Sequence, residues 1–146
     1  MKKSIIILVP TALLFFAQPN YTRAQSDLER VAATLILEAG GETDQRAMLA
    51  VYEVLRNRAK IRNMSLSQVA FQPKQFSCWN NTSKHQELIA KAKRHPNYNK
   101  AVQIVKNQYR TNVTNGATHY HTLKVNPYWS KAYNKVRVIE NHIFYR

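Results

Sequence analysis

Gly40 and Gly41 stand side by side, and the chain holds only one other glycine, Gly116. A residue this scarce, doubled at one place, fixes where a helix must stop. Leu28, Val31, Ala32, Leu35, Ile36 and Ala39 recur ahead of it at three- and four-residue spacing, which predicts a helix over 27–39 with an apolar face. Glycine takes a left-handed cap at least cost, so Gly40-Gly41 is expected to close that helix. Glu38 falls on its last turn, at the flank of the apolar stripe. A carboxylate there is partly desolvated, which favours its protonated form, and an acid held protonated can protonate a leaving group. Glycines behind it would let a bulky polymer approach the helix end. The competing reading pairs Glu38 with Arg58 as a bridge between two helices.

The remaining elements follow from similar signals. Thr43 or Asp44 is expected to cap a second helix running to about Lys60, with Ala47, Ala50, Val51, Val54 and Leu55 as its stripe. Arg58 falls inside that stripe. A buried arginine needs a partner, here expected to be a glutamate near the first turn; otherwise its stem packs while its head reaches water. Ser65 can cap a short helix through Phe71, and Pro73 stops it. Residues 72–80 read as a loop rich in aromatic and amide side chains. Ser83-x-x-Gln86 has the pattern of a capping box for a helix to about Arg94. Pro96 suits the first turn of another, to about Arg110. Asn115-Gly116 marks a turn, and two β-like runs follow, at 117–125 and 135–145. The fold class expected is α+β, a mostly helical body with a C-terminal antiparallel β-hairpin.

The first residues read as a separate unit. Lys2 and Lys3 precede an apolar stretch from Ile5 to Ala17, and Thr22-Arg23-Ala24 offers small residues around a cut after Ala24. That is the layout of a secretory signal peptide, and the stretch is short of the roughly 20 apolar residues of a membrane span. Residues 1–24 are therefore expected to be a signal peptide or signal anchor, and 25–146 a single domain. The location expected is outside the cytoplasm, in the periplasm or cell wall. One cysteine, Cys78, cannot form an internal disulfide and is expected to be a small, inert apolar residue. The net charge of +14 should attract a polyanion: a wall polymer, an anionic envelope or nucleic acid.

Only eight acids are present, which bears on mechanism. Ordinary glycosidases place two carboxylates roughly 5–10 Å apart. Glu42 lies past the helix break, Glu53 on the flank of the second helix and Glu140 in the last β-like run; none stands out as a second catalyst. A mechanism with one acid/base fits better. His119 and His121 share a strand face, and His142 in the facing run could join them as a zinc site, but H-x-H alone is a weak signal and cleft-lining histidines are the favoured reading. Phe76, Trp79, Tyr120, Tyr128 and Trp129 could stack on sugars or bases, or pack in the core.

Taken together, ERVAATLILEAGGE, MLAVYEVLRNRAK, FQPKQFSCWN, NGATHYHT, NPYWS and VIENHIFYR resemble, in order, the segments of the spore-cortex-lytic (SleB/CwlJ-type) cell-wall hydrolases. The resemblance spans about Leu28 to Arg146. It implies a small lysozyme-like domain that cleaves peptidoglycan, most often as a lytic transglycosylase; the residues themselves lead us to expect no cofactor and no metal. Glu38 matches the first glutamate of the family's E-A-x-G-E motif, which implies the catalytic role. Gln75, Phe76 and Ser77 match its Q-F-S/T segment, and Tyr120 and His121 the aromatic pair after its G-A; these imply cleft residues that position the glycan, to which Trp79 and Trp129 are added as stacking candidates. Gly40 stands where spore-type members often carry Arg, so a periplasmic remodelling enzyme or a phage lysin is expected rather than a spore enzyme. Expected partners are peptidoglycan glycan strands and anionic envelope polymers, bound by a monomer. The rivals are a muramidase, a zinc N-acetylmuramoyl-amidase using His119, His121 and His142, and a basic nucleic-acid or envelope-binding protein without catalysis.

Overall fold

A computed structural model describes the chain from Pro19 to Arg146. The apolar stretch of the leader lies outside the described residues. Helix α1 spans Pro19–Ala39 and runs through Ala24. It is followed by α2 (Arg46–Arg62), α3 (Leu66–Phe71), α4 (His85–Lys93) and α5 (Tyr98–Lys106), then by strands β1 (His119–Thr122), β2 (Lys135–Ile139) and β3 (His142–Tyr145). Short 3-10 turns occupy Ser77–Trp79, Thr82–Lys84 and Tyr128–Ala132. Among the described residues no helix is long and apolar enough to cross a membrane.

Helix α1 packs against each of the other four helices. Its periodicity predicts one buried face, yet every residue from Val31 to Ile36 is buried, because neighbours surround its middle. Thr34 tolerates this by donating its hydroxyl to the Arg30 carbonyl (2.8 Å) and accepting the Trp79 indole N–H (3.0 Å). A buried hydroxyl with both functions used avoids the desolvation cost of an orphan. Trp79 also stacks on Phe71, with centroids 4.5 Å apart.

The glycine pair ends α1 differently from the expected left-handed cap. Among the described glycines only Gly116 has a positive φ, 77°. Gly40 is instead required by crowding: its N–H bonds the Ile36 carbonyl at 2.8 Å, and a Cβ would lie 2.6 Å from that same oxygen. The capping box lies at Ser65, where the hydroxyl and the Gln68 side chain bond reciprocally to backbone N–H groups. The box expected at Ser83 is not formed; Asn81 Oδ1 accepts from the Ser83 N–H and hydroxyl instead. Helix α5 begins two residues after Pro96 and stops at Lys106, short of Arg110.

The sheet has three antiparallel strands in the order β1-β3-β2. The run at 135–145 is thus itself a hairpin, and its turn is Glu140-Asn141. Glu140, expected inside a strand, sits at a φ of 45°, a conformation uncommon for residues other than glycine. Its carboxylate compensates by accepting the Asp44 N–H at 2.7 Å and the Thr43 N–H at 3.1 Å, together with the Thr43 hydroxyl. Asn141 Nδ2 bonds Glu42 at 3.0 Å. The sheet turn and the loop between α1 and α2 are latched together in this way.

The two acids of the latch titrate as a pair. Burial, then contact with Glu140, raises the Glu42 pKa; contact with Glu42, then with Thr43, lowers that of Glu140. A proton on Glu42 also gives a donor to Glu140 Oε2, which has no other partner among the described residues. The Glu42 contribution to stability is complete below its ordinary carboxylate value and is lost as pH rises through the raised one. The Glu140 contribution is present above the ordinary value and is lost as pH falls through the lowered one. The latch is therefore strongest with one proton on the pair. Glu42→Gln, which keeps a donor there at all pH values, is expected to raise the melting temperature at pH 7 by about 2–4 °C and to leave it little changed near pH 4.5. Calorimetry across that range measures it, and a lower value at pH 7 contradicts the shared proton.

Candidate active site

A cleft of about 670 Å³ lies where the C-terminal ends of α1 and α2, the 74–77 loop and the sheet meet. Glu38 is in its lining, delivered by the last turn of α1. Gln75, Phe76 and Ser77 line it from the loop, Tyr120 and His121 from β1, and Trp129 from the 3-10 turn after it. Seven of the eight residues expected at the site from sequence are thus brought together. The eighth, Trp79, is not: it is 4% exposed and its polar edge is spent on Thr34, so it belongs to the core. Neither Gly40 nor Gly41 lines the cleft.

The Tyr120 hydroxyl donates to Glu38 Oε2 at 2.6 Å. Burial, then the Glu38 charge, pushes the Tyr120 pKa well above its ordinary value, so the tyrosine keeps its proton and remains a donor. The Cys78 thiol also lies against Glu38; burial and that carboxylate push its pKa up. A thiol held protonated is a poor nucleophile. Tyr120→Phe is expected to retain the fold and to lower turnover by about ten- to a hundredfold, through loss of the bond that orients Glu38; initial rates of wall clearance measure it.

Arg58 lies under the same cleft without the predicted glutamate partner. It is 8% exposed, and its Nε donates to the Thr118 carbonyl at 2.6 Å. Its guanidinium lies over the Phe76 ring, with Cζ 5.4 Å from the centroid. A guanidinium can satisfy its donors on carbonyl oxygens, so burial here does not require a salt bridge. The bridge between Glu38 and Arg58 is not formed.

The other carboxylates weighed as a second catalyst are committed elsewhere. Glu53, on α2, is 1% exposed. Its carboxylate accepts the N–H groups of Val113 and Thr114, each at 2.8 Å, the Thr114 hydroxyl at 2.6 Å and the Thr111 hydroxyl. Burial raises its pKa, and these bonds outweigh it to leave a net lowering. Glu42 and Glu140 form the latch. A second groove, of about 650 Å³, contains Asp27, whose Oδ1 accepts the Ser67 hydroxyl at 2.8 Å. Glu38 is the one carboxylate lining the cleft.

The histidine trio does not assemble. Tyr120 pairs with Phe144 and Thr122 with His142, while His119 pairs with Tyr145 and His121 with Ile143. Opposed residues share a face, so His142 lies on the face of Tyr120, opposite His119 and His121. His121 has both ring nitrogens occupied, by the Thr122 carbonyl (2.8 Å) and the Tyr145 hydroxyl (2.9 Å). Among the described residues no group of three His, Cys, Asp or Glu side chains could hold a metal ion. Instead His119 joins an aromatic cluster, 4.1 Å from Tyr133 and 5.4 Å from Trp129 between ring centroids. Burial, then Arg58 and Arg62, lowers its pKa. Tyr133, Arg58, Arg62 and Lys74 are lining residues that sequence reasoning did not place in the site. The shared strand face of His119 and His121 was the one signal that could have located part of that wall.

The cleft thus sets a helix-terminal acid in a groove beside a small antiparallel sheet. The chain belongs to the cell wall hydrolase family, whose sequence profile matches residues 42–145. Two solved structures are similar. One is the catalytic domain of the germination-specific lytic transglycosylase SleB from Bacillus anthracis, at 25% identity and a TM-score of 0.63, covering 84% of this chain and 95% of that one. The other is the catalytic domain of the Bacillus cereus SleB protein, at 24% identity and a TM-score of 0.57, covering 84% and 91%. No curated protein matches the chain.

Proposed function

We propose that the chain is an exported peptidoglycan lytic transglycosylase with Glu38 as its acid/base. The observation that carries this reading is the single carboxylate of the cleft. Glu53 is sealed in the protein and the Glu42–Glu140 pair is held in the latch, so no second acid is positioned to activate water. One glutamate is enough if the substrate supplies its own nucleophile. Glu38 gives its proton to the oxygen linking N-acetylmuramic acid to N-acetylglucosamine, and the C1–O bond breaks. The resulting carboxylate then takes the proton of the muramyl C6 hydroxyl as that oxygen closes onto C1. The product is a 1,6-anhydro end, and the glutamate is restored to its protonated form. Similarity to a lytic transglycosylase catalytic domain supports the same chemistry.

Mass spectrometry of soluble fragments from purified peptidoglycan tests it. Anhydromuramyl ends, one water lighter than reducing ends, are the expected result. Reducing ends from the first time point onward mean hydrolysis and a muramidase. The net charge of +14 and the leader complete the proposal: export, followed by retention on an anionic envelope, which salt should weaken.

A further inference from the structure

The cleft is charged in a way that its own acid does not balance. Arg58, Arg62 and Lys74 all line it, with Glu38 the one acid among the lining residues. Among the described residues neither Arg62 nor Lys74 forms a salt bridge. Arg62 is held by neutral groups, with Nη1 donating to the amide oxygens of Gln72 and of Gln75, the latter at 2.8 Å. Those two bonds orient the guanidinium while leaving its charge uncompensated. Lys74 is set beside Gln75 at a φ of 63°, a conformation that disfavours a side chain. Burial lowers the Arg58 pKa; Arg62 lowers it further, while Tyr120 and Glu38 raise it.

A neutral sugar chain has no use for such a wall. The muramyl residue, however, carries a D-lactyl arm that ends in a carboxylate, either its own or that of an attached peptide. We infer that Arg62 and Lys74 form a carboxylate subsite that selects glycan strands by an anionic group on the lactyl arm of a muramyl residue. Gln72 and Gln75 are positioning residues for Arg62. The inference rests on the proposed glycan substrate but not on which product forms.

Binding to the full chain carrying Glu38→Gln tests it, by calorimetry with two pairs of tetrasaccharides. The first pair is peptide-free, with the lactyl carboxylate free or converted to its methylamide. The second bears peptides, with their carboxylates free or amidated. At least one free acid is expected to bind about tenfold more tightly than its amide, and the pair that shows the difference identifies the source of the charge. With Arg62→Gln and Lys74→Gln added, that ratio is expected to fall to about one. The same ratio read from KM in the enzyme that retains Glu38 guards against misfolding of the inactive variant. Ratios within twofold for both pairs, or a preference that survives loss of both cations, overturn the subsite. Finding reducing ends in place of anhydro ends leaves these ratios standing and removes only the transglycosylase chemistry.

Discussion

Glu38→Gln is expected to abolish wall lysis, by at least about a thousandfold, while leaving the melting temperature close to that of the parent. The size follows from removing the proposed acid/base, since general acid–base assistance alone is worth about 10²–10⁴. The fold should survive because glutamine keeps an oxygen that can accept the Tyr120 hydroxyl, which now bonds Oε2 at 2.6 Å. Glu38 is also only partly buried, so the change strands no charge in the core. The measurement is clearance of purified walls alongside thermal unfolding. Clearance within tenfold of the parent would remove Glu38 from the catalytic role and direct the search for the acid to Glu42.

The second large effect has the opposite signature. Glu53→Ala is expected to destabilise the protein by about 3–5 kcal/mol, because it leaves buried donors unpaired. The Val113 and Thr114 N–H groups and the Thr111 and Thr114 hydroxyls all lose their acceptor. Neighbouring side chains of α2 hold the adjoining backbone: Arg56 donates to the Tyr109 and Thr111 carbonyls, Asn57 to that of Ala117 and Arg58 to that of Thr118. This face of α2 thus delivers the segment entering β1, and with it Tyr120. Loss of activity in Glu53→Ala should track loss of folded protein; wall clearance measures the first and denaturant unfolding, at the same temperatures, the second. A variant that is inactive but as stable as the parent would place Glu53 in the chemistry instead.

These two glutamates also show what the sequence could and could not reveal. Glu38 was legible because its signal is local: an apolar period, an acid on the last turn and a glycine pair to end the helix. Ser65 as a helix cap was legible for the same reason, although the capping box it forms was expected at Ser83. Glu53 was not, because its partners lie about 60 positions away in the chain, and helix periodicity says only that it flanks the stripe. Trp79 was assigned to the cleft with its loop neighbours, but the 3-10 turn over Ser77–Trp79 turns the indole into the core toward Thr34. The 135–145 run carries no glycine to mark its turn. Glu140 takes that conformation only because Thr43 and Asp44 hold its carboxylate, a tertiary cause with no local trace. Arg58 was recognised as buried, but carbonyl acceptors, unlike acids, cannot be picked out of a sequence.

The position of β3 bears on when activity can arise. It lies between β1 and β2 in the sheet but follows both in the chain. During synthesis β1 therefore waits without a partner, and the pairing that seats Tyr120 opposite Phe144 cannot form until residues 142–145 have left the ribosome. Helix α1, with Glu38, is made long before. The acid and the tyrosine that orients it come together only when the last strand slots between the earlier two, a non-local closure of the kind that slows folding. In a growing chain the Glu38–Tyr120 pair is thus not assembled until synthesis has passed that strand.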